Sequence, residues 1–178
     1  MKLGLVRHFK VNPPDKKKYL SSEEFKKAME IYDTAPIIPN KVNLKSDDWD
    51  ICYCSSLPRA VTTAETIFNK KIIKTDLIVE VPISPFTKFN IVLPLFFWHL
   101  GARIAWYFSH SSQKENIKQT KIRIEKFYKI ISTSGCDNIL IVAHGYFLRM
   151  FYEVMKKKGF LGKVDFNMKN GKLYIIEN

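Results

Sequence analysis

The stretch NILIVAHG, residues 138–145, decides the fold of this chain. Residues 138–143 predict a strand buried on both faces of a parallel sheet, because the five apolar residues 139–143 run without polar interruption. His144 follows the strand directly. The apolar spacing after it predicts a helix over residues 146–158, which ends before Gly159. A buried strand followed at once by a helix indicates an α/β domain.

Two segments earlier in the chain show the same pattern, an apolar strand followed directly by a polar or charged residue. Residues 2–8 form a short apolar run that predicts a first strand with His8 at its carboxyl end. Residues 49–54 predict a second strand. The serines and proline of residues 55–58 suit the start of a helix, and Arg59 lies in its first turn. Strand and helix therefore alternate from the beginning of the chain.

The remaining segments complete a layered domain. A capping-box spacing at Ser21 predicts a helix over 22–33, and one-sided apolar spacing predicts another over 113–133. Residues 72–80 predict a weaker strand, plausible at an edge. We expect residues 172–177 to form the last strand, paired through a turn with residues 164–168. The fold class is α/β, a three-layer α/β/α sandwich around a largely parallel sheet.

Charged residues follow several of these strands. His8, residues 55–59, Glu80 and His144 all come just after a predicted strand. In parallel sheets ligands collect beyond the carboxyl ends of the strands, so we expect these residues on one rim. Arginines and histidines suit a phosphoryl group, because its transfer needs fixed cations, a nucleophile and an acid for the leaving oxygen.

Three motifs together resemble the histidine phosphatase (phosphoglycerate mutase-like) superfamily. They are LVRH at residues 5–8, SSLPRA at 55–60 continuing to TAE at 63–65, and VAHG at 142–145. They occur in the family's order and span nearly the whole chain. Each motif alone is weak, and the combination is specific.

The resemblance implies a role for each site residue. His8 would be the nucleophile that accepts the phosphoryl group, and Arg7 and Arg59 would bind the phosphate. His144 would contact the transferring group, and Glu80 is similar to the family's proton donor. Asp76 and Glu115 remain alternative acids, with carboxyls of the same chemistry.

Two positions depart from the family pattern. Phe9 follows the nucleophile where glycine is usual, and we expect it to reshape the mouth of the pocket, with Lys10 adding a cation. Residues 81–85 contain two prolines where a glycine-rich stretch often follows the acid. The departures leave a non-catalytic phospholigand-binding module as an alternative function.

Composition and charge limit the domain organisation, partners and location that the chain could have. The chain has 178 residues, which suits a single domain over residues 1–178. Its 29 Lys and Arg against 17 Asp and Glu give a net charge of +12, which attracts anions, but no nucleic-acid motif supports a specific nucleic-acid partner. Three cysteines without metal-type spacing, and no signal peptide, favour the cytoplasm. No signal for an oligomeric state is present.

A helical insertion or lid is predicted at about residues 82–112. Its aromatic stretch, 89–108, is interrupted by Pro94, His99 and Arg103, so it is too short for a transmembrane span. A buried or lid-like helix is the expected role, with an apolar partner surface or interfacial membrane contact as the alternative. We expect His99 to be packed rather than catalytic.

The predicted function is metal-independent hydrolysis of phosphomonoesters through a phosphohistidine on His8, acting on a small phosphorylated substrate. No cofactor or metal is required by this chemistry. Phosphoglycerate mutase-type phosphotransfer is the alternative among enzymes, and the short chain favours a phosphatase. Substrate choice is expected to depend on residues 82–112.

Overall fold

The computed structural model of the protein describes residues 1–13 and 17–178. The helices are α1 (Ser22–Thr34), α2 (Pro58–Ile67), α3 (Leu95–Tyr107), α4 (Ile117–Ser132) and α5 (Gly145–Lys157). The strands are β1 (Lys2–Arg7), β2 (Lys10–Val11), β3 (Tyr19–Leu20), β4 (Ile37–Ile38), β5 (Ile51–Ser55), β6 (Ile72–Thr75), β7 (Leu93–Pro94), β8 (Asn138–Ala143) and β9 (Leu173–Glu177).

A five-stranded sheet forms the centre, in the order β6-β5-β8-β1-β9. The first four of these strands are parallel, and β9 runs antiparallel to β1. The register pairs Arg7 with Ala143, so β1 and β8 end side by side. The expectations of a largely parallel sheet and of an edge strand after residue 72 are confirmed.

Helices cover both faces of the sheet. Cys52 and Cys54 of β5 are buried in one cluster with Ala60 and Ala64 of α2. Tyr53, between those cysteines, meets Phe127 of α4 edge-on at 5.6 Å between ring centroids. Because successive strand residues point to opposite faces, α2 and α4 lie on opposite sides, and the three-layer α/β/α prediction is confirmed.

The predicted partner of the last strand is wrong. β9 pairs with β1, with Ile176 opposite Leu3, and residues 164–168 form no strand. Gly171 does turn the chain at φ +65°, and its backbone N–H donates to the carbonyl of Arg7 at 2.9 Å. The edge of β1 offers a full ladder of backbone partners, which a short hairpin with 164–168 does not.

The strand predicted over residues 72–80 is shorter than expected. β6 ends at Thr75, whose side-chain oxygen accepts the backbone N–H of Leu77. A 3-10 turn, Asp76–Ile78, follows. Glu80 therefore lies beyond this turn, not on the strand itself.

The chain divides into two compact units. Unit 1 comprises Met1–Lys10, Ile37–Glu80 and Lys121–Asn178, and unit 2 comprises Val11–Pro36 and Val81–Thr120. Unit 1 contains the five-stranded sheet. A single domain over the chain, with a lid at 82–112, remains a prediction.

Unit 2 is built around two helices. α1 begins with the predicted capping box, in which Ser21 and Glu24 exchange hydrogen bonds with each other's backbone. Helix α3, Leu95–Tyr107, lies within residues 82–112. Trp98 of α3 stacks on Phe25 of α1 with centroids 5.5 Å apart, and His99 meets the same ring edge-on. No helix in the described part of the chain is long and apolar enough to cross a membrane.

Candidate active site

Two buried histidines lie side by side at the carboxyl ends of β1 and β8. The backbone N–H of His8 donates to Ala143 at 2.9 Å, which extends the parallel pairing by one residue. His144 follows Ala143, so the two rings meet with centroids 5.0 Å apart. Adjacent parallel strands thus bring together two residues that are 136 positions apart in sequence.

His8 is held as a neutral imidazole. Its Nδ1 lies 2.6 Å from the carbonyl oxygen of Phe9, which can only accept, so Nδ1 carries the proton and Nε2 keeps its lone pair. The pKa of His8 is lowered from 6.5 to about 3, chiefly by burial and also by the charges of Arg59 and Arg7, against the opposing effect of the Phe9 hydrogen bond. Nε2 is therefore unprotonated at neutral pH, as a nucleophilic histidine requires.

Backbone and side-chain contacts fix the segment that carries this histidine. Asn170 donates its side-chain amide to the carbonyl of His8 at 2.7 Å. The N–H of Phe9 donates to the hydroxyl of Thr63 at 2.9 Å, and that hydroxyl donates to the carbonyl of Arg59 at 2.7 Å. The nucleophile is thereby tied to α2 and to the turn before β9.

Arg59 reaches the histidine pair from the first turn of α2. It is 3% exposed, and its Nε donates to Nδ1 of His144 at 3.2 Å. The other nitrogen of His144 lies 2.8 Å from the hydroxyl of Ser55. Because Nδ1 accepts from Arg59, Nε2 carries the proton and donates to Ser55. Both ring nitrogens of His144 therefore have protein partners here.

The His144 ring is also neutral. Burial is the main cause that keeps the pKa of His144 well below 6.5, followed by the charge of Arg59 and then that of His8. A neutral ring can accept the Arg59 hydrogen bond, whereas an imidazolium cannot. Two neutral histidines can consequently lie beside the positive charge of Arg59 without electrostatic repulsion.

Arg7 supplies a second guanidinium near His8. One of its terminal nitrogens donates to the carbonyl of Met168 at 2.9 Å. Its Nε is buried and has no hydrogen-bond partner among residues 1–13 and 17–178. Gly145 makes room for this group, because a Cβ at that position would lie 3.0 Å from Cζ and Nε of Arg7. A buried donor without a partner is costly, and an anionic ligand would satisfy it.

The Glu80 carboxylate lies at the N-terminus of α5, against the two residues that follow His144 and Gly145. Its carboxylate accepts the backbone N–H groups of Phe147 at 2.9 Å and of Tyr146 at 3.3 Å. These donors have no partner inside the helix, and a carboxylate is favoured at this end of a helix. The same contacts hold Glu80 near the second histidine.

Arg123 of α4 binds the backbone that precedes Glu80. Its guanidinium donates to the carbonyls of Leu77 at 3.0 Å and Val79 at 2.8 Å, which precede Glu80 in the chain. It also lies over the ring of Phe147, 5.1 Å from the centroid. Arg123 therefore contacts both the segment that precedes Glu80 and a residue that donates to the Glu80 carboxylate.

Unit 1 contains all five predicted site residues. His8, His144 and Arg59 are in direct or nearly direct contact, Arg7 lies against Gly145, and Glu80 binds the start of α5. Of the alternative acids, Asp76 accepts a short hydrogen bond from Ser56, and Glu115 belongs to unit 2.

One expectation near the nucleophile is wrong. The side chain of Phe9 is fully buried, and its ring packs beneath Gly171, so it does not line the pocket mouth. Its contribution to the site is its backbone, through the carbonyl bound to His8. Lys10, by contrast, is exposed.

Several supporting residues escape sequence reasoning. Ser55 and Thr63 lie inside the second motif, which was the available signal for them. The sequence indicates only a turn at Asn170 and only a solvated helix face at Arg123. Their roles depend on contacts across the fold.

The model of the histidine phosphatase superfamily (branch 1) matches residues 41–178 of this chain. The chain belongs to the histidine phosphatase superfamily. The matched region contains Arg59, Glu80 and His144, whereas Arg7 and His8 precede it. Family membership supports a phosphatase or phosphotransfer role. No curated protein sequence matches this chain.

Solved structures share the fold of this histidine phosphatase at low sequence identity. The α-ribazole phosphatase of Shigella flexneri is 18% identical, with a TM-score of 0.58 over 99% of this chain and 90% of its own. Phosphoserine phosphatase of Entamoeba histolytica, in complex with phosphoserine, is 18% identical, with a TM-score of 0.53 over 88% and 80%. A mycobacterial glucosyl-3-phosphoglycerate phosphatase is 15% identical, with a TM-score of 0.50 over 88% and 79%.

Proposed function

We propose that this protein hydrolyses phosphomonoesters through a phosphohistidine intermediate on His8. The observation that carries the proposal is the neutral His8 ring, whose Nδ1–H is bound to the Phe9 carbonyl, whose Nε2 keeps its lone pair and whose pKa responds to the charges of Arg59 and Arg7. Membership of the histidine phosphatase superfamily supports it.

In the first step, Nε2 of His8 attacks phosphorus and a P–N bond forms. The bond from phosphorus to the ester oxygen breaks, and that oxygen takes a proton from the Glu80 carboxyl. The ring gains positive charge as it is phosphorylated, and the Phe9 carbonyl stabilises this charge through the Nδ1–H. Without that acceptor, two neighbouring arginines would disfavour the cationic ring.

In the second step, a water molecule attacks phosphorus and the P–N bond breaks. The Glu80 carboxylate accepts a proton from the water, inorganic phosphate forms, and His8 returns to its neutral state. Arg7 and Arg59 neutralise the negative charge of the phosphoryl oxygens in both steps. Fixed cations lower the barrier most where such charge is concentrated.

His144 has a double role in this proposal. It accepts the Nε–H of Arg59 and so orients one arginine of the clamp. We also expect it to contact the transferring phosphoryl group once substrate is bound, when the Nε2 proton now donated to Ser55 can be redirected.

The substrate is a small phosphorylated compound, and the protein is expected in the cytoplasm. α-Ribazole phosphate, phosphoserine and glucosyl-3-phosphoglycerate form a rational first panel, because the structural neighbours carry these names. Each presents the same phosphomonoester to the clamp, so this panel tests the surroundings of the site and not its chemistry.

The test is hydrolysis of p-nitrophenyl phosphate in the presence of EDTA, together with trapping of an acid-labile phosphoenzyme. We expect activity in EDTA, and a loss of at least about 10³-fold in His8→Ala with no phosphoenzyme. Binding of inorganic phosphate to His8→Ala, through the intact arginines, serves as the folding control. Phosphate binding by the wild type without turnover or phosphoenzyme would instead establish the non-catalytic binding module.

A further inference from the structure

Helix α3 has an exposed apolar face. We define this face by six residues, each between 44 and 75% exposed: Phe96, Phe97, Leu100, Ile104, Tyr107 and, at the C-terminal cap, Phe108. At 100° per residue they cover an arc of about 120° that contains no polar side chain other than the Tyr107 hydroxyl. Isolated exposed apolar residues are ordinary, but a contiguous aromatic face is a mark of an interaction surface.

The opposite side of α3 is anchored, so the apolar face cannot turn inward. Trp98 donates its indole N–H to the carbonyl of Leu20 at 2.8 Å and stacks on Phe25. Trp106, two turns further on, donates to the hydroxyl of Thr120 at 3.2 Å. Both indoles are almost fully buried. The helix is thus apolar on two sides, and among residues 11–13, 17–36 and 81–120 the indole side is packed while the other side is exposed.

The segment that carries α3 contains basic residues and no carboxylates. No Asp or Glu occurs between residues 81 and 114. The backbone N–H of Leu95 donates to the carbonyl of Lys18, which places that exposed lysine beside the start of α3. Lys88 is exposed on the segment that leads into β7 and α3. The whole chain carries a charge of +12.

We propose that the apolar face of α3 binds the surface of an anionic lipid bilayer, with the helix lying in the interface. Aromatic side chains are favoured at that depth, and lysines next to them are attracted by anionic headgroups. The 13 residues of α3 extend only about 20 Å, too short to span the hydrocarbon core.

A second copy of this chain is the competing occupant, and the charges disfavour it. A two-fold contact through this face would pair the 81–114 segments of both copies, which contain Lys88, Arg103 and Lys114 and no acidic residue to offset their charge. The membrane proposal does not depend on the reaction proposed for unit 1.

The experiment is co-sedimentation of the full-length protein with vesicles of phosphatidylcholine, with and without about 30% phosphatidylglycerol. We expect binding to the anionic vesicles that weakens at high salt. The double substitution Phe96→Ser and Phe97→Ser should lower the partition coefficient at least about tenfold. Lys18→Glu and Lys88→Glu should each lower it about fivefold with anionic vesicles and leave neutral ones unaffected.

Leu161→Ser is the matched control, because Leu161 is 75% exposed but belongs to unit 1. It should bind vesicles as the wild type does, and all variants should keep the wild-type melting temperature. Absence of binding to anionic vesicles overturns the proposal. So does a stable dimer in sedimentation equilibrium that the Phe96→Ser, Phe97→Ser protein no longer forms, since a second copy would then cover the face.

Discussion

The low pKa of His8 makes the stability of the unliganded protein depend on pH in a window that the structure defines. Folding lowers the pKa of this histidine from 6.5 to about 3, chiefly by burial. The unfolded chain therefore takes up the proton first as the pH falls. The stability linked to His8 is fully present above pH 6.5 and is lost progressively between pH 6.5 and 3.

The size of the effect follows from the two pKa values. Between pH 7.5 and 5.0, preferential protonation of the unfolded state costs about 2 kcal/mol of unfolding free energy from this one residue. Urea unfolding at both pH values, followed by tryptophan fluorescence without phosphate, measures the total change. In His8→Asn the loss should be smaller by about 2 kcal/mol.

The comparison of the two proteins isolates His8, because His144 and His99 have lowered pKa values as well and remain in both. Equal pH dependence in wild type and His8→Asn would refute the assignment of a neutral buried nucleophile. A greater loss of stability in the variant at low pH would do the same.

Three further predictions concern the groups around the nucleophile. Gly145→Ala should lower kcat/KM about 10- to 100-fold with little change in melting temperature, because the new Cβ presses on Arg7; unchanged kinetics would contradict this. Glu80→Gln should slow alkyl phosphates about 10²- to 10⁴-fold and p-nitrophenyl phosphate far less, since only the former need a proton on the leaving oxygen; an equal loss would exclude an acid role. Arg123→Met should reproduce that leaving-group selectivity at about tenfold, because it frees the Leu77 and Val79 carbonyls; a uniform loss across substrates would indicate a structural role only.

The parts of the fold that the sequence predicts well are those with a local pattern. β8 is predicted to the residue because five adjacent apolar side chains need burial on both faces. The start of α1 is predicted because the Ser21 capping box is complete within four residues. His8 and His144 are found because each ends such a strand and belongs to a recognisable motif.

The failures are at positions whose partners are distant in sequence. Asn170 reads as a turn residue, yet its side chain binds the carbonyl of a residue 162 positions away. β9 was assigned to a nearby segment, but the edge of β1 is the better partner. Phe9 was expected at the pocket mouth because the glycine usual there allows close approach of a ligand, and the structure instead buries its ring.

The charged groups that meet at the site from distant parts of the sequence act together electrostatically. Burial is the main cause that lowers the pKa of both histidines, and the charges of Arg59 and Arg7 add to it, so both rings are neutral. Neutrality gives His8 its lone pair and lets His144 accept from Arg59. The excess positive charge of Arg7 and Arg59 then has a natural complement in a phosphate dianion. The arginines that help to lower the histidine pKa values are thus the same groups that would bind the substrate. The neutral, unprotonated state of His8 and the affinity of the site for phosphate therefore depend on the same two charges.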